Sequence, residues 1–286
     1  MSKKFDSLGD RMKAYEQCSC HFLPHRSPVI IRIDGKAFHS FTRGFEKPFD
    51  ELMQKAMQRT MKYLCENIQG CVLGYTQSDE ISLLLVDYYK IDTQPWFGNK
   101  LQKMCSVAAS MATMAFNRAF TSLVDIWKST EFSEGLSPFA SEETAKILAR
   151  RASAYICSRE KAMFDARAFV IPKDEVCNYF IWRQQDAIRN SIEAVGQANF
   201  SHNQLQHKNC SMIKTMLAEE KGIIWEALRA DLQRGSCCVK RPTLCSSPNK
   251  ETFIRDKWTI DKEIPVFTDN RDYIENIVFA GQKVKE

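Results

Sequence analysis

Two apolar runs, "CVLGYTQ" at 71–77 and "ISLLLVDY" at 81–88, stand only three residues apart, with Ser78-Asp79-Glu80 between them. No helix fits in that gap, so the two runs must turn back on one another as a tight strand hairpin. Around it, "VIIRID" at 29–34 reads as an earlier strand. Residues 50–68 place Met53, Met57, Thr60, Met61, Leu64 and Ile68 on one helical face, a spacing that marks core filler. Residues 99–120 read as a helix of small residues suited to close packing, and "RAFVI" at 167–171 as a strand stopped by Pro172.

The order strand, helix, strand, strand, helix, strand is the ferredoxin-like βαββαβ pattern of an α+β fold. Residues 121–163 do not fit it and read as a helical insertion with a mixed-charge face. From 174 the chain reads as mainly helical to about 235. A Cys-, Pro- and Ser-rich loop (235–247) and a strand-like tail, "KWTIDKEIPVF", follow. The expected organisation is a catalytic core over 1–172, with the insertion at 121–163, and a helical C-terminal extension over 173–286 packed on that core.

The 286 residues are 44% hydrophobic and 26% charged, enough to bury a real core and too apolar for disorder. The formal charge of +5 permits a nucleic-acid partner without demanding one. The N-terminus has no apolar signal-like run and no stretch approaches a membrane span, which leads us to expect a soluble, cytoplasmic protein. Eleven cysteines raise the question of zinc, but "CSCHFLPH" (Cys18, Cys20, His21, His25) lacks the paired two-residue spacings of a structural site. Cys65, Cys71, Cys105 and Cys157 read as small core residues, and Cys237, Cys238 and Cys245 as free thiols of the loop.

The chemistry concentrates at two strand ends. In βαββαβ order the first strand neighbours the middle hairpin, so Asp34 and Asp79 can meet at one end of the sheet. Two such carboxylates repel unless a cation lies between them, and Mg²⁺, commonly held by one or two carboxylates plus substrate phosphates, is the natural one. Gly35 would let backbone approach a metal or phosphate closely. Successive N–H groups of "KAFHSF" suit a phosphate nest, with Lys36, Arg43 and Lys47 adding positive charge nearby. The bland alternative stands beside this: Asp-Gly is a common turn dipeptide, and Ser-Asp-Glu suits a hairpin tip.

The stretches "IIRIDGKAFHSFTRGFEKPFD" and "GYTQSDEISLLL", supported by "LGDRMKAYE", "FDARAFVIP" and "WRQQDAIRNS", closely resemble the tRNA-histidine guanylyltransferase superfamily of 3′-to-5′ nucleotide-adding enzymes over about residues 5–200. The resemblance implies a polymerase-palm-type core with two Mg²⁺ ions, held by Asp34, Asp79 and the Gly35 carbonyl, and Asp34, Asp79 and, in the same acidic motif, Glu80 as the catalytic carboxylates. It implies a triphosphate cradle from Lys36, Ala37, Phe38 and His39. Lys47, Asp50 and Ser78 would surround the activating nucleotide. Lys100 and Lys103 match a phosphate-binding helix segment, though both also read as an ordinary solvated helix face. Arg183, Gln184, Asp186 and Asn190 match a motif beside the active site, a segment that in isolation reads as an amphipathic helix anchored by Trp182.

The same resemblance implies that ATP activates a tRNA 5′ end, that the 3′-hydroxyl of GTP or another NTP then attacks it, and that the protein is a homotetramer. Eukaryotic family members carry His-Ile-Asn-Asn where this chain has Ile188-Arg189-Asn190-Ser191. The "RNS" here is similar to the guanylyltransferase-like tRNA 5′-end repair proteins. A dedicated histidine-tRNA guanylyltransferase is the alternative within the family. Outside it stand a catalytically silent RNA-binding homologue and a cyclic-dinucleotide synthase, the latter lacking its Gly-Gly-Asp/Glu-Glu-Phe signature here.

Overall fold

The computed structural model describes residues 7–132, 141–246 and 252–280. The elements, in chain order, are α1 (Ser7–Gln17), β1 (Val29–Gly35), the one-turn α2 (Phe38–Phe41), α3 (Glu51–Asn67), β2 (Cys71–Gln77), β3 (Glu80–Leu85), α4 (Leu101–Trp127), α5 (Glu142–Ser158), β4 (Phe164–Val170), α6 (Lys173–Asn199), α7 (His202–Leu205), α8 (Cys210–Lys221), α9 (Ala230–Arg234), β5 (Ser236–Ser246), β6 (Thr252–Asp261) and α10 (Asp272–Val278). Among the described residues they build one antiparallel sheet in the order β4-β1-β3-β2-β5-β6. Its first four strands have the expected βαββαβ arrangement.

Strand alternation divides the sheet into two faces. Ile31, Ile33, Ile81 and Leu83 point to one, where they pack with Met57, Met61, Leu64, Phe116 and Phe120 of α3 and α4. Ile30, Leu73, Tyr75 and Leu84 point to the other, against Val176 and Phe180 of α6 and the C-terminal Ile264, Phe267 and Ile274. The methionines of α3 are core filler, as their spacing predicts. A third cluster joins Ile192 and Val195 of α6 to Ile213, Leu217 and Trp225.

The structure departs from the sequence reading in two places. The stretch read as an insertion also contributes side chains to the core. Helix α4 runs on to Trp127, and Leu123, Val124 and Trp127 join Ala152 and Tyr155 of α5 in the first cluster. The Cys-, Pro- and Ser-rich "loop" is strand β5. Its Ser236, Cys237 and Cys238 pair with Thr76, Tyr75 and Gly74, and the rest of the strand forms a ribbon with β6. Cys237 and Cys238 are therefore buried free thiols in the sheet. Pro242 is tolerated because only β6 flanks that part of β5. The C-terminal extension is thus helical as far as Arg234, adds β5 and β6 to the sheet, and returns to helix in α10. Cys105 is half-buried and packs against the first cluster, whereas Cys157 is exposed, against its core expectation. No helix among the described residues is long and apolar enough to cross a membrane.

Candidate active site

The β1–β3–β4 register sets an acidic row across one end of the sheet. Asp34 lies opposite Glu80 on one side and Asp165 on the other. One pair further in, Arg32 lies between Ser82 and Arg167. All of these side chains emerge on the α6 face. The β2–β3 hairpin closes in two residues, Ser78 and Asp79, since Gln77 already pairs with Glu80. Ser78 takes the left-handed conformation (φ 49°) the tight turn requires. The Gly35 N–H donates to the Asp79 carbonyl at 3.1 Å, which ties the hairpin tip to the end of β1.

These carboxylates have different fates. Glu80 is buried, and Arg183 of α6 donates to it at 3.1 Å. Burial raises the Glu80 carboxyl above its ordinary range while Arg183 opposes the rise. Arg183 also bonds Asp186 at 2.6 Å and lies 3.9 Å from the centre of the Trp182 ring. Asp165 pairs with Arg167 at 3.2 Å. Asp34 and Asp79 have no ion-pair partner among the described residues. Burial pushes the Asp79 carboxyl up, and the charge of Asp34 adds to the rise. Unpaired hard oxygen donors held near one another fit a divalent cation. Among the described residues no three His, Cys, Asp or Glu side chains converge on one point. Two carboxylates suffice for Mg²⁺, which takes its remaining ligands from water and phosphate. Glu80 does not fit as a ligand, because its charge is already committed to Arg183.

Beside the hairpin opens a cleft of about 570 Å³. Its rim holds Gly35, Ala37, Phe38, His39, Ser78 and Asp79. Lys47, Asp50 and Asn190 of α6 line it as well. The structure therefore gathers most of the expected nucleotide residues in one place. Phe38 gives Gly35 a packing role of its own, since a Cβ there would meet the Phe38 ring at 2.3 Å. Ala37 is left-handed (φ 54°) and opens α2, whose first N–H groups, at Phe38 and His39, have no carbonyl a full turn back within the helix.

Asp50, besides lining the cleft, is a structural anchor: it caps α3 by accepting from Met53 N–H at 2.9 Å, accepts from Glu46 N–H at 3.0 Å, and receives the Tyr155 hydroxyl at 2.5 Å. Other expected residues take different places. The Gln184 amide is used internally, donating to the Pro265 carbonyl at 2.9 Å and accepting from Phe267 N–H at 2.8 Å. It is buried, so an RNA contact gives way to a structural tie. Lys36 lines not the cleft but a second cavity. Lys100 and Lys103 open α4, about 18 Å along the helix from Thr113, whose hydroxyl accepts from Phe164 N–H beside Gly35. They lie at the far end of the sheet from the acidic row, with Lys103 over the Phe97 ring.

Sequence reading missed Tyr155, whose hydroxyl is pushed well above its ordinary range by burial and by Asp50. The signal available was the apolar face shared by Leu148, Ala152 and Tyr155. It also missed the cleft wall from 231–236. There Arg229 donates to Asp231 at 3.0 Å, Asp231 accepts from Gln58 at 3.3 Å, and Gly235 presses on the Thr76 carbonyl where a Cβ would sit at 2.5 Å.

A family model described as "Thg1: tRNAHis guanylyltransferase" matches residues 9–172, more than half the chain. This chain belongs to the tRNAHis guanylyltransferase family. It is a nucleotidyltransferase, built on the family's palm-type core. The chain is similar to a bacterial tRNAHis guanylyltransferase (Thg1)-like protein solved in complex with ATP, at 42% identity and TM-score 0.76, covering 95% of this chain and 98% of that one. A bacterial Thg1-like protein in complex with GTP matches at 40% identity and TM-score 0.70, covering 96% and 100%. The "Probable tRNA(His) guanylyltransferase" of Dictyostelium discoideum is 25% identical over 78% of each chain. The Saccharomyces cerevisiae enzyme, 18% identical with TM-score 0.58 over 93% of this chain, shares the fold.

Proposed function

We propose that the protein adds nucleotides to tRNA 5′ ends in the 3′-to-5′ direction, filling truncated ends by pairing with the opposite acceptor strand. The observation that carries this reading is the unpaired carboxylate couple of Asp79, which lines the cleft, and Asp34, at the end of β1 beside it, while Arg183 and Arg167 neutralise their neighbours. Asp34, Asp79 and the Gly35 carbonyl would hold Mg²⁺, which when bound neutralises charge on the phosphoryl oxygens and favours the attacking hydroxylate. The chain's own part is alignment. The loop at Ala37–His39 and Ser78 orients a triphosphate, and Lys47 supplies charge at the wall. The Arg183–Glu80 pair fixes the hairpin that carries Asp79.

In the activation step the 5′-monophosphate bonds to the α-phosphorus of ATP and pyrophosphate leaves. In the transfer step the NTP 3′-oxygen bonds to the RNA 5′-phosphorus, its proton is lost, and AMP leaves. A 5′-triphosphorylated RNA skips activation and releases pyrophosphate. Both displacements rest on positioning and charge, with no covalent protein nucleophile.

The choice of repair over histidine-tRNA modification rests on residues 188–191. Ile188 packs on the third apolar cluster, Arg189 pairs with Asp186, and Ser191 accepts from the Trp225 indole at 3.1 Å, leaving Asn190 to face the cleft. An isoleucine cannot make an imidazole's contact to a phosphate or base. The test is incorporation of each labelled NTP into truncated tRNAs of several identities and into mature histidine tRNA. Template-matched filling at higher kcat/KM is expected. A strong preference for adding guanosine to mature histidine tRNA overturns the repair reading, and no RNA-dependent incorporation overturns the activity.

A further inference from the structure

A second cavity, of about 390 Å³, lies on the other side of Ala37 from the nucleotide cleft. Three cations from separate stretches of chain line it: Lys36 at the end of β1, Arg43 after α2, and Lys161 after α5. None of the three has a carboxylate partner among the described residues. Other basic groups of the same region do: Arg151 pairs with Glu46, and Arg159 with Asp125. Three like charges gathered around one concavity repel each other, and a concave wall focuses their field on whatever enters. Ser40 and Ser158 add hydroxyl groups to the lining, and the exposed thiol of Cys157 stands on it.

We propose that Lys36, Arg43 and Lys161 form a second polyphosphate-binding site, separate from the nucleotide cleft and sharing only the Ala37 turn with it. The chemistry that fits is a di- or triphosphate anion, multiply charged and able to accept charge-assisted hydrogen bonds from all three side chains at once. Two sources carry that group: the tail of a free nucleotide and the 5′-triphosphate of an RNA. The site gives the segment 142–161 a ligand-binding role alongside its packing. The choice between these sources, but not the site itself, rests on the nucleotidyl-transfer reading above.

Cys157 supplies a local readout that needs no turnover. Its alkylation by iodoacetamide, followed by peptide mass spectrometry in the full-length protein, should slow severalfold in the presence of inorganic tripolyphosphate. In the Arg43→Ala/Lys161→Ala variant the half-protecting tripolyphosphate concentration should rise by about ten-fold or more, the loss of two charge-assisted bonds. An Arg43→Lys/Lys161→Arg variant, which keeps the charges, should retain most of the protection. GTP compared with a short 5′-triphosphorylated RNA and its 5′-hydroxyl counterpart separates the sources: whichever protects Cys157 at the lower concentration, in a manner abolished by the alanine pair, is the ligand. Absence of tripolyphosphate protection in the wild type, or equal protection in the alanine pair, overturns the site even if nucleotides are still incorporated. Protection without any RNA-dependent incorporation leaves the site standing and overturns the transfer reading.

Discussion

The two faces of the sheet are made by the same strands and do opposite work. On the α3–α4 face, Ile31, Ile33, Ile81 and Leu83 pack into one large cluster of apolar side chains, where shape dominates. On the α6 face the alternate positions of the same strands carry Arg32, Asp34, Glu80 and Ser82, and there the apolar packing gives way to a buried ion pair and an acidic row. Period-two alternation lets one strand serve both faces, so near the acidic end of β1 and β3 a substitution on the α3–α4 face is expected to cost stability alone, whereas one on the α6 face also disturbs the groups that frame the site.

The largest break in that contrast is Asp34→Asn or Asp79→Asn. Each should lower nucleotide transfer by about 10³-fold or more, since losing a cation ligand removes several kcal/mol from the transition state. Circular dichroism should show an intact fold, and near-wild-type turnover at saturating Mg²⁺ would sink the assignment.

Arg183→Met tests whether Glu80 belongs to the architecture. Leaving a buried carboxylate unpaired should cost about 3–5 kcal/mol, whereas the Arg183→Met/Glu80→Gln double variant should recover much of that loss. Urea titration of the two variants measures the difference, and equal stability would place the pair outside the folding energetics.

Tyr155→Phe removes the hydroxyl that holds Asp50 and, through it, the loop walling the cleft. A loss of about 1–2 kcal/mol is expected for a hydrogen bond to a charged group. It should come with a rise in KM for the NTP larger than any fall in kcat, which steady-state kinetics would reveal.

The smallest effect is on pH dependence. Burial and Asp34 raise the Asp79 pKa above its ordinary value of 3.8, so the folded state binds that proton more tightly than the unfolded chain does. The stability this confers is fully present below 3.8 and is lost as pH rises through the raised value. Asp79→Asn should therefore melt about 1–2 °C higher than wild type at pH 7 without divalent ions. The gap should close at acid pH and shrink when Mg²⁺ stabilises the wild type. A variant less stable than wild type at neutral pH would show that Asp79 bears structural load.

What the sequence by itself determined is local. Strand and helix periodicity, the short Ser78-Asp79 turn and the chain order were enough to place Asp34 and Asp79 at one sheet end, because neighbouring strands in βαββαβ order leave little choice of register. The residues of α3 announced their own buried face for the same reason. Only the tertiary structure decided the rest. β5 finds β2 across about 160 residues, and a run holding Cys, Pro and Ser carries no local signal strong enough to foretell that pairing. Glu80 looked like a catalytic carboxylate until Arg183, over 100 residues on, reached it through the sheet's other face. Nor did the sequence show that Asp50, in the cleft wall, is held by Tyr155 from about 100 residues further on. Such partners depend on which face of a distant helix lands on which end of the sheet, and that is fixed by the packing of the whole core.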